Sequence, residues 1–324
     1  MVVYVIGLGS MGKRRIRLLS ERKNIHIIGI ESNPERREEV ANQFNIETFD
    51  SIEAAEESIK GECAFICTSP LSHAIIINNC LNHNLNVFTE INLIADGYEE
   101  NITLAKEKGL VLFLSSTFLY RPETKYIIDR VSKKNSPVNY MYHVGQYLPD
   151  WHPWEDYNSF FVGNTRTNGC REIFAIELPW IVMCFGGIKD VTVLKSKNTS
   201  LKVDYNDNYL VQIQHENGTK GVFAVDVVSR KAVRRFEVYG EDLYLTWNGT
   251  PDSLIDYDID RKEDIKVDVG AGEHKEGYAS FITENPYREE ITTFFDLVQN
   301  PANECRWDFE RDLDVLNVID RIEG

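Results

Sequence analysis

The sequence predicts an α/β chain in which a parallel sheet covered by helices is followed by an α+β domain with a mainly antiparallel open sheet. Residues 1–120 alternate apolar strand-like runs with helix-like runs, a pattern that builds a parallel sheet. Beyond residue 120, strand-like runs alternate apolar and polar residues, as half-buried antiparallel strands do. A chain of 324 residues is also long for one core, so we expect two domains, 1–120 and 121–324.

The first strand ends in a glycine motif. Val2–Ile6 is apolar and β-branched, and Gly7-Leu8-Gly9-Ser10-Met11-Gly12 then reads G-x-G-x-x-G before a helix-like stretch from Lys13 to Leu19. In a dinucleotide site the first glycine makes the turn, the second admits the pyrophosphate and the third packs helix against strand. Free N–H groups at the helix N-terminus favour the anion. These six residues therefore predict a Rossmann domain that binds a dinucleotide.

The residue after the second strand bears on the choice of cofactor. Ile25–Ile30 ends in Glu31, nineteen residues past Gly12, where a carboxylate accepts hydrogen bonds from the adenosine ribose. The same charge would repel the 2′-phosphate of NADP. We therefore expect NAD, with NADP disfavoured, although Arg36 and Arg37 could soften the preference.

The other elements of the first half alternate. Asp50 and Glu53 have the spacing of a capping box, which predicts a helix start there. We predict a helix from Asn33-Pro34-Glu35 through Gln43, a strand at Thr48-Phe49, a helix through Ile59, a buried strand Cys63–Thr68, a helix His73–Asn84, a strand Asn86–Glu90, a helix Gly97–Lys108 and a strand Leu110–Leu114. The crossovers between parallel strands should be right-handed.

The second half predicts helices at both ends of a sheet. Asn217-Gly218 is typical of a hairpin turn between two of its strands. The predicted elements are a helix Pro122–Val131, a strand Val138–Leu148, a loop 149–160, an apolar helix Arg171–Phe185, strands at 190–197, 208–215, 220–228 and 234–247, and amphipathic helices within about 286–324 that are candidates to pack back on the first domain. The outer face of the sheet is the candidate interface of a homodimer or homotetramer.

Composition excludes several classes of partner. The net charge is −16, which should repel nucleic acid and anionic membrane. No apolar run is long enough to span a membrane and no secretory leader is recognisable, so a cytoplasmic location is expected. The six cysteines have no C-x-x-C spacing and the histidines no ligand spacing, which favours reduced thiols and no metal site.

Taken in order, these motifs resemble the glucose–fructose oxidoreductase/inositol dehydrogenase family (Gfo/Idh/MocA) over essentially the whole chain. The matching stretches are the glycine motif, Glu31-Ser32-Asn33-Pro34-Glu35-Arg36, Cys67-Thr68-Ser69-Pro70-Leu71-Ser72-His73, Leu119-Tyr120-Arg121-Pro122, Glu284-Asn285-Pro286-Tyr287 and Trp307-Asp308-Phe309-Glu310. The resemblance implies an NAD(P)-dependent oxidoreductase acting on sugars, inositols or nucleotide-linked sugars. It also implies that the second domain supplies the substrate pocket and often the oligomer interface.

Two departures from the family pattern concern catalysis. The family's E-K-P motif places a lysine at the active site, whereas this chain has Glu90-Ile91-Asn92. The family's Asp, followed one turn later by His, corresponds best to Glu172, which puts Ile176 at the histidine; a shift of one residue would put Glu177 there. The sequence leaves that register open. It predicts a subgroup without the usual lysine.

Other groups are therefore candidates for acid/base chemistry. Histidine titrates near neutral pH, and burial can bring a carboxylate there. The catalytic candidates are His152, Glu172, Glu177 and Glu90, and the substrate-binding candidates are Asn92, Tyr120, Arg121, Trp151, His152 and Trp154. For Trp151 and Trp154 the alternative is that they pin a long loop to its own domain. For the two helix glutamates the alternative is pairing with arginine across the domain interface.

The turn after the buried strand supplies further cofactor candidates. Thr68, Ser69 and His73 join the glycine motif, Glu31 and Glu90 there, because ligands bind at the carboxyl ends of parallel strands. His73 could instead only cap its helix. Lys13, Arg14 and Arg15 could contact cofactor phosphates, or could form a solvated first helical turn.

The leading hypothesis is an NAD-dependent oxidoreductase that acts on a carbohydrate or nucleotide-sugar with an acid/base other than lysine. One alternative is a binding, sensor or regulatory protein that kept the dinucleotide fold and lost catalysis, which Ile91 and Ile176 motivate. Another is NAD-assisted lyase or hydrolase chemistry, which some relatives use.

Overall fold

The computed structural model describes residues 1–270, 272–273 and 283–324. They form two compact units: residues 1–116 with 287–313, and residues 117–286 with 314–324. The sequence analysis places a boundary at residue 120. In the structure the first unit ends at residue 116, and residues 287–313 also belong to it.

The first unit is built on a six-stranded parallel sheet, as the sequence predicts. Its strands are β1 (Val2–Ile6), β2 (His26–Ile30), β3 (Glu47–Phe49), β4 (Cys63–Ile66), β5 (Asn86–Thr89) and β6 (Leu112–Leu114), in the order β3-β2-β1-β4-β5-β6. The order reverses direction between β1 and β4, and ligands of doubly wound sheets bind outside the carboxyl ends of the strands at such a point. The turns after β1 and β4 are therefore where a dinucleotide is expected.

Five helices connect these strands: α1 (Ser10–Ser20), α2 (Pro34–Phe44), α3 (Ile52–Ser58), α4 (His73–Asn82) and α5 (Tyr98–Lys108). The predicted capping box at Asp50 is wrong by one residue. Ser51 caps α3, since its side chain accepts from the Ala54 backbone N–H at 3.2 Å. Glu53 then falls at the second helical position, where its side chain is not placed to close a box.

The second unit contains an eight-stranded sheet that is antiparallel except where β7 pairs with β10. Its elements are α6 (Pro122–Ser132), β7 (Asn139–Gly145), α7 (Gly169–Phe185), β8 (Ile188–Ser196), β9 (Asn208–His215), β10 (Lys220–Asp226), β11 (Val233–Gly240), β12 (Leu243–Trp247), β13 (Ile255–Asp258) and β14 (Glu263–Lys266). The strand order is β14-β13-β12-β11-β7-β10-β9-β8. This confirms the mainly antiparallel second sheet.

Two details of this sheet differ from the prediction. The run 234–247 is not one strand but the hairpin β11–β12, which turns at Glu241-Asp242. The short strands β13 and β14 were missed because their mixture of acidic and basic residues resembles a loop. The predicted turn at Asn217-Gly218 is confirmed, with Gly218 at a φ of +90°.

The last two helices are α8 (Asn285–Gln299) and α9 (Phe309–Glu323). In the first unit, Phe294 from α8 packs edge-on against Phe88 at 5.7 Å, and Phe88 stacks on Phe65 at 4.6 Å. The apolar stripe read from the sequence of α8 thus completes the core of the parallel sheet. No described helix is long and apolar enough to cross a membrane.

The second sheet has one buried and one exposed face. The inner face packs on α7, where Phe174 and Trp180 are fully buried. The outer face presents large apolar side chains on neighbouring strands, namely Met141, Leu194, Leu210, Val222, Tyr239 and Tyr244. A shallow depression of about 330 Å³ also lies there. This is the face from which the sequence predicts assembly.

Candidate functional site

The turn after β1 requires glycine at its first position. Gly7 has a φ of +88°, and a Cβ there would lie 2.8 Å from Cγ2 of Thr68 and 2.9 Å from the backbone of Cys67. Gly12 is equally constrained, because its Cβ would lie 2.0 Å from the Gly7 carbonyl oxygen. These two glycines are explained by contacts within the protein.

Gly9 is different, and it bears on whether a dinucleotide fits. A Cβ at Gly9 would meet nothing within 4 Å, and its φ of −73° suits any residue. Gly9 also caps α1 without a side-chain hydrogen bond, and the first N–H groups of a helix have no acceptor within the helix itself. A glycine that the protein itself does not need, beside free N–H donors, matches the close approach of a pyrophosphate.

Glu31 anchors the glycine turn from the end of β2. It is 9% exposed, and its carboxylate accepts from Leu8 N–H at 3.1 Å and from Asn33 N–H at 3.0 Å. Arg36 lies 3.2 Å away. Burial alone would raise the pKa of Glu31, but these donors lower it below its ordinary value. Glu31 is thus held as an anion beside the glycine motif.

The turn after β4 brings together three of the predicted residues. His73, 2% exposed, lies with Nδ1 2.6 Å from Oδ1 of Asn92 and Nε2 3.1 Å from the carbonyl oxygen of Thr68. Thr68 is the residue that lies against Gly7. His73 therefore holds the wall of the glycine turn, which is more than the helix-capping role that the sequence left open. Ser69 precedes the short helical turn at 70–72.

Glu90 forms a buried ion pair that the sequence did not reveal. Arg15, fully buried, donates from Nε to Oε1 of Glu90 at 2.5 Å and from Nη2 to Oε2 of Glu290 at 3.1 Å. The expectation of a solvated helical turn is therefore wrong for Arg14 and Arg15, since both side chains are buried, and Arg15 is directed at carboxylates. Burial opposes the charge of Arg15, but the two glutamates raise its pKa above the ordinary value.

A signal for this network was present in the sequence. Glu290 precedes Phe294 by four residues, so both lie on the buried face of α8. A carboxylate on an apolar stripe needs a buried cation or donor. Ser115 and the Ser116 N–H also donate to Glu290, at 3.0 and 2.7 Å.

In the second unit, Glu172 lies in the first turn of α7. Its Oε2 is buried and makes no hydrogen bond to any residue that the structure describes. Burial raises the pKa of Glu172 from 4.5 to about 7. A carboxyl that has an unpaired buried oxygen and a pKa near neutrality can both take up and release a proton under physiological conditions.

Glu177, five residues further along α7, is fully engaged. It is 0% exposed; one oxygen accepts from Tyr142 at 2.6 Å and Trp180 at 2.8 Å, and the other accepts from Arg234 at 2.6 Å. Glu177 is paired with an arginine, but Arg234 belongs to the same unit, so the pair is not the one across the domain interface that the sequence offered as the alternative. We assign Glu177 a structural role.

The aromatic loop carries His152 near the surface. Its Nδ1 lies 2.6 Å from Oε1 of Glu155, and its ring stacks on Trp154 and Phe160. Trp151 donates to the Gln146 carbonyl oxygen at 3.2 Å, which ties it to its own loop, whereas Trp154 is 77% exposed. Trp151 thus matches the pinning role, and Trp154 and His152 are available to a ligand.

The two residues at the start of the second unit are internal. Tyr120 is 5% exposed, and the centre of its ring lies 5.9 Å from the Lys125 ammonium nitrogen. Arg121, 4% exposed, donates to Glu123 at 2.6 Å and to the Gly249 carbonyl oxygen at 3.0 Å. These contacts favour packing roles over substrate binding.

The second unit also carries exposed basic residues for which the sequence analysis predicted no role. Arg230, Lys231 and Arg235 are exposed, and none has a carboxylate partner in the part of the chain that the structure describes. The guanidinium of Arg230 lies 4.0 Å from the centre of the Tyr147 ring, at the start of the aromatic loop. Stacking of this kind leaves the guanidinium edges free to bind an anion.

A metal centre has no support. Among residues 1–270, 272–273 and 283–324 no group of three or more His, Cys, Asp or Glu side chains could hold a metal ion. His274 lies outside the described residues. All six cysteines are free thiols.

Comparison with known proteins identifies the first unit. Residues 1–116 match the sequence model GFO_IDH_MocA, described as an oxidoreductase family with an NAD-binding Rossmann fold. Over these 116 residues the chain is similar to the Gfo/Idh/MocA oxidoreductase family. The resemblance predicted from the ordered motifs is thereby confirmed, and the glycine turn described above belongs to an NAD(P)-binding oxidoreductase domain. No curated protein sequence matches the chain.

Solved structures extend the similarity of fold to the whole chain. UDP-N-acetylglucosamine 3-dehydrogenase from Acidithiobacillus ferrooxidans is 18% identical, with a TM-score of 0.77 over 99% of this chain and 96% of that one. Levoglucosan dehydrogenase, in complex with NADH and L-sorbose, is 16% identical, with a TM-score of 0.79 over 99% and 95%. Biliverdin reductase from Synechocystis, with biliverdin and NADP⁺, is 17% identical, with a TM-score of 0.77 over 99% and 97%. At these identities the likeness concerns the fold.

Proposed function

We propose that the protein is an NAD-dependent oxidoreductase acting on a hydroxyl or carbonyl group of a carbohydrate or nucleotide-sugar, with Glu172 as its acid/base in place of the family's lysine. The observation that carries the proposal is the buried oxygen Oε2 of Glu172, which has no hydrogen-bond partner among the described residues, in a carboxyl whose pKa is raised to about 7. Bound NAD supplies the hydride acceptor. The carboxylate of Glu172 takes the proton of the substrate hydroxyl as the carbon loses hydride, and returns it in the reverse direction.

The preference for NAD over NADP rests on Glu31. Its carboxylate is held ionised at the end of β2 by Leu8 N–H, Asn33 N–H and Arg36. The 2′-phosphate of NADP would bring a second negative charge to the same place. Arg36 does not offset this, because it already neutralises the carboxylate.

Two features of the second unit support a substrate that carries negative charge. Arg230, Lys231 and Arg235 are exposed cations in a chain of net charge −16. Tyr147 and Trp154 add aromatic surface for a sugar ring or a base. A nucleotide-sugar, with its diphosphate, uses both features, whereas a neutral sugar uses only the second.

The test is turnover by the purified protein. NADH absorbance is followed against a panel of neutral sugars and nucleotide-sugars. The proteins compared are wild type, Glu172→Gln and, as the matched control, Glu241→Gln at the exposed turn between β11 and β12. We expect turnover in wild type and the control, and its loss in Glu172→Gln with unchanged NADH affinity. Wild type that binds NADH and oxidises or reduces no member of the panel would contradict the proposal.

A second candidate function is an NAD-binding regulatory protein without catalysis. It is favoured by Ile91, which stands where the family has its lysine, and a side chain without a titratable group cannot exchange a proton. Ile91→Lys separates the candidates. Activity that appears only in this variant would support the regulatory protein, and turnover by wild type would exclude it.

We further propose a cytoplasmic homo-oligomer, assembled through the outer face of the second sheet. The exposed apolar side chains on that face support the assembly. The unpaired cysteines agree with a reducing compartment.

A further inference from the structure

The first turn of α7, which carries Glu172, is bonded to the last turn of α9 within the second unit. Asn168 caps α7, since its Oδ1 accepts from the Arg171 backbone N–H at 2.8 Å. The Asn168 amide donates to Oε1 of Glu323 at 2.6 Å. The Asn168 carbonyl oxygen accepts from the Glu172 N–H at 3.0 Å. Two hydrogen bonds that share Asn168 therefore lead from Glu323 to Glu172.

Arg171 makes a second link between the same two helices. Its side chain is 6% exposed, and it donates from Nη2 to Oδ1 of Asp320 at 2.6 Å and from Nη1 to Oε2 of Glu323. A buried guanidinium needs acceptors around it, and these two carboxylates supply them. The last turn of α9 is itself fixed to the sheet, because Lys195 on β8 donates to the Glu323 carbonyl oxygen.

The first turn of α7 also packs on apolar side chains. A Cβ at Gly169 would lie 3.0 Å from Val227, 3.2 Å from Leu148 and 3.5 Å from Trp151. Apolar packing excludes water but is not directional, whereas hydrogen bonds are. The polar contacts with α9 therefore supply the directional constraint on this turn.

The position of the turn decides what surrounds the Glu172 carboxyl. Oε2 of Glu172 is buried and has no hydrogen-bond partner among the described residues. Burial alone raises the pKa of Glu172 to about 7, without a contribution from the charges of Asp320 and Glu323. Any influence of these two carboxylates on Glu172 is therefore exerted through the position of the turn.

We propose that Asn168, Asp320 and Glu323 are positioning residues for Glu172: the last turn of α9 fixes the first turn of α7 and thereby keeps the Glu172 carboxyl away from water. The inference rests on the proposed function in taking Glu172 as the acid/base group. The contacts between α7 and α9 do not depend on that assignment. The sequence analysis predicted no role for these three residues.

Exclusion of water matters for the proposed chemistry. A carboxyl exchanges protons with a substrate best when its pKa lies near the working pH. If the turn moved and water reached Oε2, the pKa of Glu172 would fall towards its ordinary value. The group would then be a weaker base and would seldom be protonated at neutral pH.

The experiment follows the Glu172 carboxyl itself. Carbon-13 NMR of the glutamate side chains, with the Glu172 signal assigned from Glu172→Gln, gives its pKa in wild type and in four variants. Asn168→Ser keeps the cap, because serine caps helices as well as asparagine does, but it lacks the amide that donates to Glu323 and leaves the Arg171 pairs in place. Circular dichroism and thermal unfolding check that each variant is folded.

The other variants separate hydrogen bonding from charge. Glu323→Ala removes both the charge and the acceptor of the Asn168 amide. Glu323→Gln makes the same charge change but keeps an acceptor oxygen. Asp314→Asn changes the charge of an exposed residue on the same helix and is the matched control.

We expect the pKa of Glu172 to fall by about one unit in Asn168→Ser and in Glu323→Ala, which is a tenfold change in proton affinity. Glu323→Gln should lie closer to wild type, and Asp314→Asn should match wild type. An unchanged pKa of Glu172 in both folded Asn168→Ser and Glu323→Ala would overturn the inference. Equal shifts in Glu323→Ala and Glu323→Gln would also overturn it, because the effect would then follow charge.

Turnover gives a second readout, with whichever substrate the panel identifies. The kcat should fall about tenfold in Asn168→Ser and Glu323→Ala, as proton transfer becomes less efficient, while the dissociation constant of NADH stays unchanged. An unchanged kcat in both variants would contradict the positioning role. If wild type turns over no substrate, the proposed function fails, while the Glu172 signal still decides whether α9 keeps that carboxyl buried.

Discussion

At the level of single residues, the carboxyl of Glu172 should leave a signature in stability. Its pKa is raised from 4.5 to about 7 by burial. Between those pH values the folded state holds a proton that the unfolded chain has released, so the free energy of unfolding falls as pH rises. The stability that the protonated Glu172 carboxyl contributes is fully present below about pH 4.5 and is lost as pH rises through about 7.

The substitution Glu172→Gln removes this loss of stability at high pH, because glutamine stays neutral. We expect the variant to be more stable than wild type by about 3 kcal/mol at pH 8 and by less than about 1 kcal/mol at pH 5. Urea unfolding at the two pH values measures it. Equal effects at both would mean that the carboxyl is not desolvated.

The proposed preference for NAD over NADP depends on one side chain, Glu31. Replacing Glu31 with serine removes the anion beside the ribose position, so the ratio of NADPH to NADH affinity should rise about tenfold, which corresponds to about 1.4 kcal/mol. Both affinities should fall somewhat, because Leu8 N–H loses its acceptor. Fluorescence titration with the two cofactors gives the ratio. Glu35→Gln, which changes an exposed charge at the start of α2, should leave the ratio unchanged.

At the level of elements, the ion pair network ties α1, β5 and α8 together within the first unit. Arg15 contributes from α1, Glu90 from the end of β5 and Glu290 from α8. Removing one partner of a buried pair leaves an uncompensated charge, which costs about 3–5 kcal/mol. Arg15→Met should lower the free energy of unfolding by that amount.

The matched control lies on the same helix. Lys13 pairs with Glu39 at 2.5 Å near the surface, and such pairs contribute about 0–1 kcal/mol. Lys13→Met should therefore change the unfolding midpoint in urea very little. If Arg15→Met were as mild as Lys13→Met, the buried network would not stabilise the unit.

At the level of the whole molecule, the outer face of the second sheet predicts association. Leu194 and Leu210 face each other on β8 and β9 and are 70% and 52% exposed. A double change of both to glutamate should convert an oligomer to a monomer, because it places two charges in an apolar interface. Light scattering after size exclusion measures the mass. Ile75→Glu, at an α4 side chain that is 77% exposed, is the control and should leave the mass unchanged.

What the sequence determined by itself is whatever depends on neighbours along the chain. Period-two and helical patterns predicted the parallel and antiparallel sheets, and Gly7, Gly9 and Gly12 predicted the cofactor turn, because turn geometry and helix start are local. The stripe on α8 was equally readable. Element ends such as the Ser51 cap and the hairpin β11–β12 were misplaced by this reasoning, since competing side chains lie within one or two residues.

Only the tertiary structure decided which polar groups are paired. Glu172 and Glu177 are alike in sequence, both being carboxylates on an apolar helix. In the fold, Tyr142 on β7 and Arg234 on β11 reach Glu177 on α7. None of the described side chains reaches Oε2 of Glu172. The hydrogen bond from Tyr98 to Asp312 likewise joins residues more than two hundred positions apart. Burial and pairing depend on distant segments of the chain. Glu177 is therefore held in a structural role, and Glu172 is the candidate for acid/base chemistry.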